Sequence, residues 1–510
     1  MNHPGRAGGR TPDHEVVVVG AGFSGIGAGI KLQQAGFEDF VLLEAAGDLG
    51  GTWRDNTYPG IAVDITSFTY SFSFEPNPNW SRVFAPGREL KAYADHCADK
   101  YGLRRRMRFH TRVSKAVFDE RNDLWELHTA AGELVRARYV ISACGGLTQP
   151  KLPDIAGLDA FRGKVMHTAR WDHAHDLRGR RVAVIGTGAT AVQVVPAIAP
   201  AVQRLHVFQR TPIWILPKPD REIPDSFKTL FRYLPFTQIS VRMLTNLLSE
   251  IVMVFGIVYN RQLPWLIRRI EALCLDHLSS QVPDEALRAR LTPKYGFGCK
   301  RPSFSNDYYP TFNRDNVELV TEPIERVTET GIRTRDGVEH RVDTLILATG
   351  FKVFERGNTP PFEVYGRGGV ELGRFWDEHR YQAYEGATVP KFPNVFMVLG
   401  PYSTTGSSWF SMVEAQTTHA VRCLAEARRR GATVVEVKQR AHDAFFRDIL
   451  RRQKNTVFFN NNCTLANSYY FDRHGDAPFL RPCSGLELWW RSRHFDLNHY
   501  RFARASDRHA

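Results

Sequence analysis

The 510-residue sequence has no C-x-x-C pair and no Cys/His spacing of the kind that holds zinc. Its seven cysteines, Cys97, Cys144, Cys274, Cys299, Cys423, Cys463 and Cys483, are odd in number and dispersed. That usage, without a visible leader, predicts reduced thiols and a cytoplasmic setting. The stretch from Met1 to Arg10 is polar and lacks the apolar segment of a secretory signal. No long hydrophobic run is present either. The most apolar stretch, Ile251 to Asn260, is too short to span a bilayer, so no transmembrane segment is expected. Acidic residues are the minority charge, 54 against 67 basic, for a net +13. There is no aromatic RNP strand and no zinc finger, so nucleic acid is not the expected partner. The excess reads first as a solvated surface. A second reading is attraction for a phosphorylated cofactor or an acidic membrane surface.

What is present begins with Glu15-Val16-Val17-Val18-Val19, a β-branched run suited to a buried parallel strand. Gly20-Ala21-Gly22-Phe23-Ser24-Gly25 follows directly, and Ile26 to Gln34 reads as a helix. Strand, glycine turn and helix in this order are the dinucleotide-binding context. Gly20 permits the turn, Gly22 lets a pyrophosphate approach the backbone, and Gly25 lets helix and strand pack closely. Val41-Leu42-Leu43-Glu44 supplies a second strand. Its terminal acid lies 22 residues beyond Gly22, where a carboxylate accepts from ribose hydroxyls.

The pattern recurs. Arg181-Val182-Ala183-Val184-Ile185 is a second buried-strand run, followed by Gly186-Thr187-Gly188-Ala189-Thr190-Ala191. The next strand, Leu205 to Gln209, ends on Arg210 where the first site has Glu44. A guanidinium there suits a ribose 2′-phosphate, which an acid would repel. The first site therefore fits FAD and the second NADPH. The predicted fold is α/β, with two Rossmann-like dinucleotide-binding domains and a helical insertion.

Two further motifs carry a family resemblance. Gly50-Gly51-Thr52-Trp53 through Tyr58-Pro59-Gly60 to Asp64 lies after the first turn, and Phe161-x-Gly163-x-x-x-His167-x-x-x-Trp171-Asp172 lies before the second. With Ala348-Thr349-Gly350-Phe351, they make the chain resemble the class B flavoprotein monooxygenases, and among them the type I Baeyer–Villiger monooxygenases, from about residue 14 to near the C-terminus. Gly298-Cys299-Lys300-Arg301-Pro302, followed by Tyr308-Tyr309 and Phe312 to Val317, looks like that family's active-site segment. The resemblance implies FAD and NADPH as cofactors, O2 and a small-molecule ketone as substrates, and oxygen insertion through a C4a-peroxyflavin to give an ester or lactone. It makes Arg301 and Asp64 the catalytic pair, with Asp64 also beside the cofactor, and Lys300 a cofactor-ribose contact. It places further cofactor contacts at Gly20, Gly22, Phe23, Ser24, Gly25, Glu44, Gly51, Thr52, Trp53, Val113, Gly186, Thr187, Gly188, Ala189, Thr190, Gln193, Arg210 and Thr211.

The chemistry of the residues agrees. An anionic oxygen species needs a fixed positive charge in a dry site, and arginine stays protonated and presents a rigid donor fork. An orienting carboxylate would set its position. His167 is left open between a hinge or packing residue and an acid or base. His173-Ala174-His175 has no third ligand and reads as a polar loop, so no metal is expected.

Flavin N-hydroxylases and S-oxygenases share the two glycine turns but as a rule lack the Trp-Asp end and the Lys-Arg pair. Oxidation of sulfur or nitrogen in a small molecule is the alternative. A flavin disulfide reductase is disfavoured because no redox cysteine pair lies near the first site. The expected organisation is a first FAD segment at 1–150, a first NADPH segment at 151–216, a helical insertion at 217–292, a second NADPH segment at 293–340, and a second FAD segment at 341–510 with pocket loops. In the insertion, Met243-Leu244, Leu247-Leu248, Ile251 and Val252 recur at helical spacing, which predicts core or lid packing. Phe227, Phe231 and Phe236 with nearby basic residues keep peripheral membrane contact open. Trp409 and Phe410 either line the ketone pocket or belong to the core. The oligomeric state is not legible.

Overall fold

The computed structural model describes residues 10–406 and 408–504. The polar N-terminal stretch, through residue 9, lies outside them. Two sheets organise the chain. The first runs in the order Glu363–Tyr365, Val113–Asp119, Leu124–Thr129, Leu134–Ser142, His14–Val19, Phe40–Leu43 and Met107–Arg108, with Val395–Met397 also on Leu134–Ser142. The second has five strands, Val317–Val320, Arg204–Phe208, Arg181–Ile185, Thr344–Leu347 and Lys164–His167, all parallel.

His14–Val19 is central to the first sheet and covered on both faces, which is why its run of valines is uninterrupted: Val16, Val17 and Val18 are fully buried. The helix Phe23–Gln34 packs back on this strand at the first glycine turn. A Cβ at Gly25 would lie 1.9 Å from the carbonyl oxygen of Gly20, so only glycine allows this approach. Arg181–Ile185 and the helix Ala189–Ile198 repeat the unit in the second sheet.

Thr344–Leu347 falls within the expected second FAD segment at 341–510 but sits inside the second sheet. Thr344–Leu347 is hydrogen-bonded on both sides, to Arg181–Ile185 and to Lys164–His167. The chain leaves this sheet only at Ala348–Gly350. There it runs beside the first crossing: Lys151 N–H donates to Gly350 at 2.8 Å, and Lys352 N–H donates to Gln149 at 3.0 Å.

The insertion is helical. Asp225–Tyr233 is followed by Pro235–Ser249, which continues without a break as the π-helical turn Glu250–Val258. Pro264–Gln281 and Glu285–Leu291 complete it. Joined end to end, Pro235–Val258 is a 24-residue helix long and apolar enough to cross a membrane by length and composition. The expected core or lid packing fails for its outer face. Met243, Leu244, Leu247, Leu248 and Ile251 all point into solvent, while Val254, Ile257 and Val258 are buried. Helical spacing identifies the helix but does not say which side is covered.

Candidate active site

Two glycine turns press together at the first site. Gly50 N–H donates to Ala21 O at 2.9 Å, and the Cα of Gly51 lies 3.5 Å from where a Cβ on Gly22 would stand. The Phe23–Gln34 helix starts here with no side-chain cap and no acid in its first turn, so its N–H groups and dipole suit an anionic group. The buried Glu44 closes one side, with Oε2 accepting from Ala21 N–H at 2.8 Å and Oε1 from Ala46 N–H at 2.9 Å. Arg54 reaches the same carboxylate at 3.0 Å. Thr52 and Trp53 begin the short helix Thr52–Asp55, and Trp53 Nε1 donates to Tyr70 Oη at 3.2 Å. Val113 is buried at the start of its strand, packed with Val41 and Leu43. This donor set and its missing side chains fit the pyrophosphate and ribose of FAD.

The second turn has the same build. Gly186 has φ +116°, and its Cβ would meet Ala348 O at 2.4 Å; a Cβ at Gly188 would meet nothing within 4 Å among the described residues. The Ala189–Ile198 helix is likewise uncapped. Thr187 Oγ1 donates to Thr211 O at 2.7 Å and so fixes the turn to the end of the neighbouring strand. Arg210 is exposed beyond that strand, and its charge is felt by the half-buried Lys300. Burial, with Arg210 second, pushes the Lys300 ammonium down to about 8. Two cations at the end of a nucleotide-binding strand fit a 2′-phosphate of NADPH.

Lys300 and Arg301 are consecutive, and they turn to different sites. Arg301 donates through Nε at 3.0 Å and through a terminal nitrogen at 2.6 Å to Oδ2 of Asp64, 237 residues away in the first half. The Asp64 carboxylate holds the guanidinium protonated well above its ordinary range, against the opposing effect of burial. Tyr469 and Tyr470 also lie beside it. A disulfide between Cys299 and Cys463 ties this segment to the loop that carries those tyrosines. It corrects the expectation of uniformly reduced thiols: a bridge is a matter of two sulfurs meeting in the fold, and these two are 164 residues apart in sequence. The remaining five cysteines are free.

The fingerprint residues lie at the crossing between the sheets. Phe161 is buried over Gly163, where a Cβ would come within 2.5 Å of its ring. His167 ends its strand, buried, with Nδ1 accepting from Ala169 N–H at 3.1 Å and its ring edge-on to Phe351. Burial lowers its pKa, so it sits neutral at the pivot. Trp171 packs against the second core, and Asp172 pairs with Lys164. His173 and His175 bond to Thr57 and Thr344. Phe410 belongs to the core: it is fully buried, 4.6 Å from both Phe23 and Phe72 between ring centroids. Tyr308 and Tyr309 are core residues as well.

Gln193 bridges the two halves. Its Oε1 accepts from Tyr58 Oη at 2.9 Å, and its Nε2 donates to Ala62 O at 2.9 Å. Ala189 and Thr190 open the helix that carries it. Sequence reasoning marks 460–476 as a pocket loop without naming Tyr469 or Tyr470, and it does not single out Tyr70, which sits in an irregular segment without a periodic signal.

Comparison with known proteins gives a consistent picture. Residues 17–230 match the family described as pyridine nucleotide-disulphide oxidoreductase. A Baeyer-Villiger monooxygenase of Pseudomonas aeruginosa is 39% identical over 95% of this chain and 91% of its own length. Among solved structures, an oxidized steroid monooxygenase bound to NADP superposes with a TM-score of 0.86 at 31% identity, covering 96% of this chain and 99% of that one. The complex of OTEMO with FAD and NADP gives 0.85 at 28% identity, covering 97% of this chain and 100% of that one.

Proposed function

The chain belongs to the Baeyer–Villiger monooxygenases, and from that premise we propose Arg301, oriented by Asp64, as the catalytic group of its active site. The protein is an FAD-containing, NADPH- and O2-dependent oxidoreductase that inserts one oxygen atom beside a ketone carbonyl. In balance, ketone, O2, NADPH and a proton become ester or lactone, NADP+ and water.

When bound, FAD supplies the redox chemistry, taking hydride from NADPH and activating O2. The protein's part is positioning and electrostatics. The first glycine turn and Glu44 would hold FAD through its pyrophosphate and ribose. The second turn, with Arg210 and Lys300, would hold NADPH and select it over NADH. Arg301 presents a fixed positive charge where negative charge develops on oxygen, and Asp64 keeps its fork in one orientation, so little reorganisation is needed at the moment of reaction. Tyr469 and Tyr470 lie beside the guanidinium as further polar groups of the site. His167 acts as a positioning residue at the crossing and not as an acid or base.

The observation that carries this reading is the Arg301–Asp64 pair, which joins the two halves at 2.6 Å. Replacement of Arg301 by alanine tests it. The variant is expected to keep oxidising NADPH while ester formation falls on the order of 10²–10³-fold, the usual loss for a preorganised charge donor. Ester formation within about tenfold of wild type would overturn the assignment. Sulfide oxidation surviving in a variant that has lost ketone oxidation would point instead to heteroatom chemistry as the natural reaction.

A further inference from the structure

We propose that the outer face of the helix Pro235–Val258, with the adjoining tryptophans of Gly485–His494, is a docking surface for an anionic lipid bilayer. The helix is inverted relative to an ordinary surface helix. Gln238 and Arg242 point inward and hold it down. Gln238 Nε2 donates to Asn77 O at 2.6 Å, and Arg242 donates to Phe68 O at 3.1 Å and Ser71 O at 2.9 Å. Its large apolar side chains point outward. Met243 is 67% exposed, Leu244 and Leu247 are each 57%, and Leu248 is 54%. A contiguous apolar patch of this kind marks an interaction site.

The rim gives the occupant its chemistry. Glu250 accepts from Gly485 N–H at 2.9 Å, so the helix Gly485–His494 stands directly beside the patch. That helix exposes Leu486, Trp489 and Trp490 and carries Arg493 over the Trp489 ring at 4.5 Å. Beyond the end of the long helix, Trp265 is exposed under Arg269 at 5.7 Å. Arg232 precedes the long helix, bonded to Asn79, while the nearby Lys228 is paired with Asp225 and adds no free charge. Tryptophan and arginine around an apolar face suit the headgroup layer of a membrane. Within 235–258 the single acid, Glu250, is already engaged. A second copy of the chain would bring this cationic rim against its own like, whereas anionic headgroups complement it. Because the inner side is bonded to Phe68, Ser71 and Asn77, the helix lies along the surface of the protein and would rest in the plane of the interface instead of crossing it.

The surface also bears on substrate. The buried side of the same helix packs on the active-site segment: Val254 and Ile257 share a cluster with Cys299, and a side chain at Gly298 would strike Ile257. The reaction centre therefore lies directly behind the docking face. The implied substrates are lipophilic ketones that partition into the bilayer; this part rests on the oxygenase reading above.

The test uses the full-length, FAD-loaded protein and sedimentation with two vesicle preparations, phosphatidylcholine alone and phosphatidylcholine mixed with phosphatidylglycerol. Wild type is expected to sediment with the mixed vesicles, and less so as salt is raised. The double variant Met243→Glu, Leu247→Glu should bind at least about tenfold less, because two carboxylates enter the buried layer. A second variant, Trp489→Ala with Trp490→Ala, should lower binding without touching the long helix. Oxidation of NADPH with water-soluble cyclohexanone should be unaltered in both variants. Wild type remaining in the supernatant with both vesicles, or equal binding by wild type and variants, would overturn the proposal. So would equal binding to the two vesicle types, or a wild-type dimer that the glutamates convert to monomer while vesicles fail to bind. Vesicle binding is read without turnover, so its failure leaves the oxygenase reading standing, and loss of ketone oxidation leaves the vesicle result standing.

Discussion

Asp64→Asn isolates the orientation of Arg301 from its charge. In the native pair both donors of the guanidinium converge on one carboxylate oxygen, at 3.0 and 2.6 Å. Asparagine keeps an acceptor oxygen with two lone pairs for the same two donors but removes the charge that strengthens both bonds. A charge-assisted hydrogen bond nets about 1.5–3 kcal/mol in a sheltered site. Here the side chains are 38% and 27% exposed, so solvent screening brings the value for the pair down to about 1–2 kcal/mol. If that energy holds Arg301 in its productive position, ester formation should fall about 5- to 30-fold. Reduction of the FAD by NADPH, which does not need the fork of Arg301, should be unaffected. The assay is the ratio of ester formed, by gas chromatography, to NADPH consumed, with anaerobic FAD reduction measured alongside. Arg301 stays protonated in the variant, so the loss is one of geometry and should be independent of pH near neutrality. A variant with wild-type coupling of NADPH to ester would refute the orienting role of Asp64. Slowed FAD reduction would show instead that the pair serves NADPH binding.

Two other perturbations follow from the same region. Lys300, pushed down to about 8, should lose its charge in the native protein as pH rises through that value, while in the unfolded chain it stays protonated to its ordinary 10.5. Between those two values the unfolded state binds the extra proton, so this group makes the cofactor-free protein more stable as pH rises. Binding of the 2′-phosphate favours the protonated form and works the other way: the KM for NADPH should climb by up to about tenfold from pH 8 to 9 and that for NADH should not, and a parallel rise for both would refute the phosphate contact. The disulfide closes a 164-residue span, worth up to about 5 kcal/mol in the chain-entropy account. Cys463→Ser should therefore lower the Tm by several degrees, and thiol titration of the denatured, unreduced protein should find five groups; seven would show that the bridge does not form.

Much of the site was legible because it is made of backbone. Glycines at 20, 22, 25, 186 and 188 and the charge swap from Glu44 to Arg210 are local signals, and the local structure obeys them. What escaped was set by tertiary contact. Met243 and Leu247 read as core because apolar spacing marks a helix and not its covered side. Thr344–Leu347 is a short buried run that would look the same in either sheet, and only its neighbours place it in the second. Cys299 meets Cys463 through the packing of a loop without periodic pattern. The same loop, legible only as an Asn- and Tyr-containing pocket loop over 460–476, brings Tyr469 and Tyr470 to Arg301, and which of its residues meet the guanidinium is set by that packing.

The two crossings between the sheets are laced to each other by Lys151 to Gly350 and Lys352 to Gln149. The pairing is a single antiparallel bridge, Pro150 opposite Phe351, which resists shear between the two crossings. The two halves are thus joined by something closer to one strap than to two independent tethers. A rotation between the halves would have to carry both crossings together. His167, edge-on to Phe351, stands at the root of the strap, and Gln193, bonded to both Tyr58 and Ala62, acts as the latch that any such rotation must release or carry along.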